Sequence, residues 1–447
     1  MLPPGPPTPA FWQTYRFLVA PRDYSLAVQA RYGRVTRFRG LNGNGIAIAD
    51  PDLARDLFAA EPDTFETPSV LFDLFGEHSV LATSGERHRR QRKLLNPRFH
   101  GARMKAFLET MQRVVHEHLG VLRKAGTDGS VVTMSALAQR LTLDVILETV
   151  FGEGLGLERE RARGVLRNLM GALSPTFVFA RALRSTAYPL WRTFLRRRRE
   201  FDAWVDGLIA DRRKRDQVGS DILGVLLDAR YDDGGAMEDG EIRDLLMTLL
   251  LAGHETTAIA VAWGVYWLLR EPVALARLRS ALDSLDTPPS PEAIVRLPYL
   301  EAVIAETLRV EPIVTDVARI CRKPLELGPW VVPAGEIAIV NVSAIFADEA
   351  LFPEAHRFRP ERFLDRALGV GQFMPFGGGH RRCLGAAFAE AELAITLATF
   401  AREWELELAE PMPERSVRRN ITMGPQHGVR VRVLGARPDR PRVARAS

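Results

Sequence analysis

Cysteine is nearly missing: Cys321 and Cys383 are the only two in 447 residues. Two cysteines cannot build a disulfide framework, so the fold does not rely on one, and a reducing cytoplasm is the expected compartment. A strong charge of either sign is missing too. Sixty basic and 55 acidic residues leave a formal net charge of +5. That excess gives no reason to expect nucleic acid, and the basic runs "FLRRRREF" and "DRRKRD" read as solvated helix faces. No run approaches the roughly 20 uncharged apolar residues of a membrane span. The opening "MLPPGPPTPA" lacks the apolar core of a secretory signal. Residues 1–12 read instead as a stiff, proline-rich lead-in. No repeat or long linker divides the chain, so one domain is expected over 13–435, followed by a disordered tail over 436–447.

What is present is ordinary soluble protein, 46% apolar and 26% charged. Near the start, "RVTRFRGLNGNGIAIADPDLARDLF" reads as strand, Gly/Asn turn, strand, then a helix entered through Asp50 and Pro51. Helical spacing then dominates. The longest helix is expected from about Glu241 to Glu271, stopping before Pro272, about 45 Å long and buried at its centre. After Pro312 the pattern turns strand-like, then helical again behind Cys383. The fold class is mainly α with a smaller β-rich lobe.

Cys383 stands in "PFGGGHRRCLG". Arg381 and Arg382 supply charge, and Gly377, Gly378 and Gly379 bare the backbone. A helix starts behind the sulfur. This setting favours an anionic thiolate. Cys321, in "VARICRKP", lacks it and reads as structural. Zinc would want further Cys or His close by, and none follows. A thioredoxin-type site would want a second nearby cysteine. A Cys–His hydrolase using a remote histidine stays open. The other use is as axial ligand to haem iron, where a thiolate pushes electron density onto the metal.

Phe376, Gly379, Arg381, Cys383 and Gly385 match the spacing Phe, two residues, Gly, one, Arg, one, Cys, one, Gly. This segment resembles the haem-binding loop of cytochrome P-450 enzymes, and the resemblance spans nearly the whole chain. It implies that fold, haem b (iron protoporphyrin IX) held by Cys383, and monooxygenation of an unactivated C–H bond. "LLLAGHETTAIA" resembles the family's Ala-Gly-x-Glu-Thr-Thr segment. Small Ala252 and Gly253 would let a flat cofactor approach. The resemblance assigns Thr256 to oxygen activation and Glu255 to a proton relay. The zinc-protease motif that "HETT" also suggests fails, because Ala258 stands where its second histidine belongs.

"YLEAVIAETLRVEP" places Glu306 and Arg309 on one helix face. In this family that pair is buried and clamps an arginine of the later "FRPERF", here Arg362. The resemblance also implies that His88, Arg92, Arg319 and Arg381 serve the haem propionates. His116 and His118 read as surface residues.

By the same resemblance the substrate pocket is walled by Phe72, Phe75, Val80, Leu249, Ala252, Ile313, Val314, Val317 and Met423. Asp316 is the only obvious charge nearby. A hydrophobic substrate follows: a fatty acid, terpenoid, steroid or polyketide-like metabolite. No flavin or nicotinamide domain follows the last strands. The resemblance makes dioxygen the co-substrate, and electrons are expected from a separate ferredoxin or flavodoxin and its reductase. Arg89, Arg90, Lys93 and Arg382 are expected to steer that partner to a monomer. The alternatives are a peroxide-dependent peroxygenase, a redox-neutral haem isomerase or dehydratase, and a non-catalytic haem sensor or carrier.

Overall fold

The structure is a computed structural model that describes residues 1–96, 102–152, 155–156, 158–214 and 221–437. Helices predominate. The longest, Asp239–Arg270, begins in a capping box between Glu238 and Glu241 and stops before Pro272. A capping box satisfies two orphan N–H groups, and proline forbids helix in the residue before it. The helix passes through the larger apolar core and packs on the Met134–Phe151 helix and on the Ala386–Glu403 helix behind Cys383. It does have the length and hydropathy of a membrane span, which the search for an uncharged run missed. However, 78% of its most apolar 18-residue stretch is buried in the fold.

A five-stranded sheet forms the second lobe, in the order Val35–Gly40, Gly43–Ile48, Ile337–Asn341, Asp316–Cys321, Phe65–Glu66. Gly43–Ile48 and Ile337–Asn341 run parallel, and the other neighbours are antiparallel. A separate apolar core sits against this sheet and contains Cys321. Burial pushes that thiol up to about 11, which suits an inert structural cysteine. The Pro51–Ala59 helix follows the first hairpin, and the Asp50 side chain accepts from the Asp52 and Leu53 N–H groups.

Both chain ends differ from expectation. The lead-in stops at Pro9, because a helix begins at Ala10. The fixed φ of proline suits a helix entry, and the Gln13 amide holds the Pro6 and Thr8 carbonyls. The lead-in is also tied to the sheet, with Arg37 N donating to Pro4 O at 2.9 Å. At the far end Ala436 closes the last strand, and Arg437 pairs with Asp283 at 2.8 Å. The rest of the expected tail lies outside the described residues. His118 is not a plain surface residue either. It is largely buried and meets Asp144 at 2.8 Å.

Candidate active site

Three short-range bonds shape the cysteine loop. Gly377 N donates to Met374 O, Arg382 N to Gly379 O and Cys383 N to Phe376 O, at 2.9 to 3.0 Å. Gly377 and Gly379 have φ of 69° and 66°, a region that L side chains rarely adopt. Packing demands glycine as well. A Cβ on Gly378 would come 2.6 Å from the Phe58 ring, on the Asp50-capped helix. Phe376 is half-buried against the larger core.

Cys383 is accessible although protein surrounds it. Burial pushes its thiol up, while the Gly385 N–H, Arg92 and Arg382 pull it down. In the protein alone, burial outweighs the local charge that favours the thiolate. A coordinating metal reverses that order, since a bound thiol is deprotonated outright.

Three arginines and a histidine, from three elements, converge beside this loop. His88 and Arg92 come from the Gly85–Leu95 helix, Arg319 from the Asp316–Cys321 strand, and Arg381 from the loop. Burial, then Arg381, Arg92, His380 and Arg319, drive His88 down to about 3. Burial also lowers Arg319 and Arg381 to about 10, aided by the charge of Arg381 on the first and of Arg92 on the second. Arg381 is held by Thr67 Oγ1 at 3.1 Å and by the carbonyls of Val80, Leu81 and Thr83. Arg92 donates to Arg382 O at 2.8 Å. Among the described residues no carboxylate pairs with Arg92, Arg319 or Arg381. Such a cluster is stable only with anions between its members, which fits the two propionates of haem. His380 joins the cluster, its ring centroid 6.0 Å from that of His88, and burial drives it down to about 4. Sequence reasoning missed it. Its place inside the glycine loop was the available signal.

The centre of the long helix borders a cavity of about 700 Å³, to which Ala252, Glu255 and Thr256 contribute. Ala252 is exposed to that space in mid-helix, which fits a flat cofactor. Gly253 does not face it. A Cβ there would stand 3.4 Å from Ile146, so this glycine serves close helix packing instead. Thr256 Oγ1 donates to Ala252 O at 2.8 Å. Desolvation raises Glu255 to about 7, against a smaller lowering by Arg419.

The Glu306 clamp is complete. Arg309 Nε and Nη2 donate to the two carboxylate oxygens at 2.7 and 2.8 Å. Arg362 Nε adds a bond of 3.0 Å and the Arg359 N–H one of 2.7 Å, both to Oε1. The Glu306 and Arg309 side chains have no exposed surface.

The pocket expectation is met only in part. Phe75, Val314 and Ala252 line the cavity, whereas Phe72, Val80, Leu249, Ile313, Val317 and Met423 are not among its lining residues. Phe72 is 37% exposed. Val317 faces the cysteine loop, 4.0 Å from where a Gly377 Cβ would sit. For Val317 the reason is period-2 alternation: residues 314, 316, 318 and 320 face the cavity, and 317 and 319 face the other way. The expected steering charges are also mostly engaged. Arg89 pairs with Glu86, Arg90 with Asp233 and Lys93 with Asp232, at 2.7 to 2.8 Å.

The comparisons agree with this geometry. The family profile for cytochrome P-450 matches residues 3–430. Cytochrome P-450 135B1 of Mycobacterium tuberculosis is 33% identical over 445 residues, 98% of this chain and 92% of that protein. Cytochrome P-450 137 of the same species is 36% identical over 453 aligned positions, with 97% and 92% covered. The retinoic acid-bound cyanobacterial CYP120A1 superimposes with a TM-score of 0.85 at 25% identity, covering 97% of this chain and 99% of its own. This chain belongs to the cytochrome P-450 family, whose haem b is held by a cysteine thiolate, here that of Cys383.

Proposed function

We propose that the protein hydroxylates or epoxidises a hydrophobic substrate, a fatty acid, terpenoid, steroid or polyketide-like metabolite, with dioxygen and electrons from a separate ferredoxin or flavodoxin. The observation that carries this reading is the acid–alcohol pair, Glu255 and Thr256, on the wall of a large cavity beside Ala252. Bound haem supplies the oxidant chemistry, tuned by the Cys383 thiolate.

The chain's own residues then have distinct tasks. Arg92, Arg319 and Arg381 hold the propionates, with neutral His88 able to add a hydrogen bond. Glu255, poised near neutral pH by burial, takes protons from solvent and passes them inward. The Thr256 hydroxyl bonds its own helix and turns to present its proton to the cavity. Apolar walls from Phe75, Leu251 and Val314 exclude water and seat the substrate. Glu306, Arg309 and Arg362 brace the region structurally. The steering surface rests on few free charges, Arg382 foremost, because Arg89, Arg90 and Lys93 have acidic partners. A cytoplasmic monomer suits the scarcity of cysteine and the burial of the long apolar helix Asp239–Arg270.

Two measurements test the reading. The reduced protein under carbon monoxide should show the red-shifted Soret band of a sulfur-ligated porphyrin, and Cys383→Ala should abolish it. Product from apolar substrates should require both dioxygen and a reduced partner. Turnover with peroxide alone, or without any reductant, would assign the protein to the peroxygenases or the haem isomerases instead.

A further inference from the structure

The Ala10–Val19 helix is turned inside out. Its buried residues are the polar Gln13 and Thr14. The reason is the sheet edge beneath it. Val35–Gly40 is an end strand of the five-stranded sheet, and an end strand has backbone groups left to satisfy. Gln13 Oε1 accepts from the Arg39 N–H at 3.0 Å, and Thr14 Oγ1 from the Leu41 N–H at 3.2 Å. A helix that commits its polar side to that edge turns its apolar side outward. Phe11, Trp12, Tyr15 and Val19 share that outer face by helical spacing. Two turn tips extend it: Leu41 after the first strand, and Ile421 between Ser416–Arg419 and Thr422–Pro425. The second hairpin is tied to the helix, since Arg418 donates to the Leu18 and Phe17 carbonyls at 3.1 and 3.2 Å. All six apolar residues are between 44% and 61% exposed.

Single exposed apolar residues are ordinary, but a contiguous group marks an interaction surface. We propose that this face docks on the surface of an anionic lipid bilayer, with the cavity mouth beside the lipid. Three observations choose a bilayer. Trp and Tyr combine an apolar body with a polar tip and favour a membrane interface, and Trp12 and Tyr15 stack here with ring centroids 5.6 Å apart. Arg16 and Arg39 are exposed beside the face, and among the described residues neither has a carboxylate partner. Anionic headgroups supply one. Leu41, Ile421 and Arg39 also line the cavity, so its mouth borders the face, and an apolar solute can pass from lipid to cavity with little contact with water. A second copy of the chain fits less well. A two-fold interface sets a patch against itself. It would gather the same unpaired arginines from both copies and cover both mouths. Docking involves no haem chemistry, so it stands apart from the proposed oxidation.

Co-sedimentation of the full-length, haem-loaded protein with lipid vesicles tests the docking. Binding is expected to vesicles of equal phosphatidylcholine and phosphatidylglycerol, and more weakly to phosphatidylcholine alone. The double variant Phe11→Ser/Trp12→Ser should bind about tenfold less to both. Arg16→Gln and Arg39→Gln should each cost about fivefold on the mixed vesicles and leave binding to phosphatidylcholine unchanged. Thermal melting checks that each variant keeps the wild-type fold, as substitutions at exposed positions should. Failure of the wild-type protein to sediment with the mixed vesicles overturns the proposal. Undiminished binding by Phe11→Ser/Trp12→Ser overturns it as well. So does a dimer in light scattering that the same variant dissolves, which would give the face to a second copy.

Discussion

The Cβ that Gly379 lacks would stand 2.1 Å from the carbonyl oxygen of Phe58. That oxygen belongs to a rigid helix and cannot move aside. Gly379→Ala therefore meets both a left-handed φ of 66° and a backbone clash. We expect destabilisation of about 2 kcal/mol or more, with loss of haem from the purified protein. The ratio of Soret to protein absorbance measures it. Gly385→Ala is the control, because its Cβ meets no protein atom within 4 Å.

Glu306 is bonded to Arg309, to Arg362 and to the Arg359 backbone with no exposure to water. Removing the acid strands two guanidiniums. Glu306→Ala is expected to cost about 3–5 kcal/mol, read as a lower urea midpoint or as insoluble expression. Arg362→Lys, which keeps a charge but loses the planar fork, should lose less, since the Arg362 side chain is 11% exposed.

Glu255 has a pKa raised to about 7. The folded protein then keeps a proton that the unfolded chain releases in the range between the ordinary carboxylate pKa and 7. Through that window the unfolded state binds fewer protons, so this group makes folding less favourable as pH rises, and it adds no further change above it. Proton delivery should follow the same ionisation. Partner-driven turnover is expected to fall through an apparent pKa near 7. Glu255→Gln should flatten that limb and lower the rate by about tenfold or more. A pH–rate profile of both proteins decides it.

The two cysteines differ in access. Cys321 is fully buried, with its thiol raised to about 11, whereas Cys383 is open. Iodoacetamide at pH 8 should add one label to the haem-free protein, at Cys383, and a second only in denaturant. Peptide mass mapping reads both sites. Haem-loaded protein should resist the first label.

The chemistry-bearing motifs were legible in the chain because each is local. A loop of "GGGHRRC" needs its glycines for backbone angles set within a few residues, and Glu306 and Arg309 share a face by helix period alone. The long helix announced itself through its pattern and its proline stop. The resemblance they carried was enough to name the cofactor and the reaction class.

The tertiary structure decided what depends on two remote segments meeting. Gly253 and Ala252 are adjacent in sequence, yet one faces Ile146 and the other the cavity, since a helix turns 100° per residue. Val317 and Asp316 part in the same way across a strand. The pairing of Arg90 with Asp233 engages a charge that the sequence reading assigned to steering a partner. Tyr24 and Gln29 of the Pro21–Tyr32 helix line one cavity with Asp316 only because that helix packs against the sheet. Spacing along a chain records local geometry, whereas burial and pairing are properties of the packed whole.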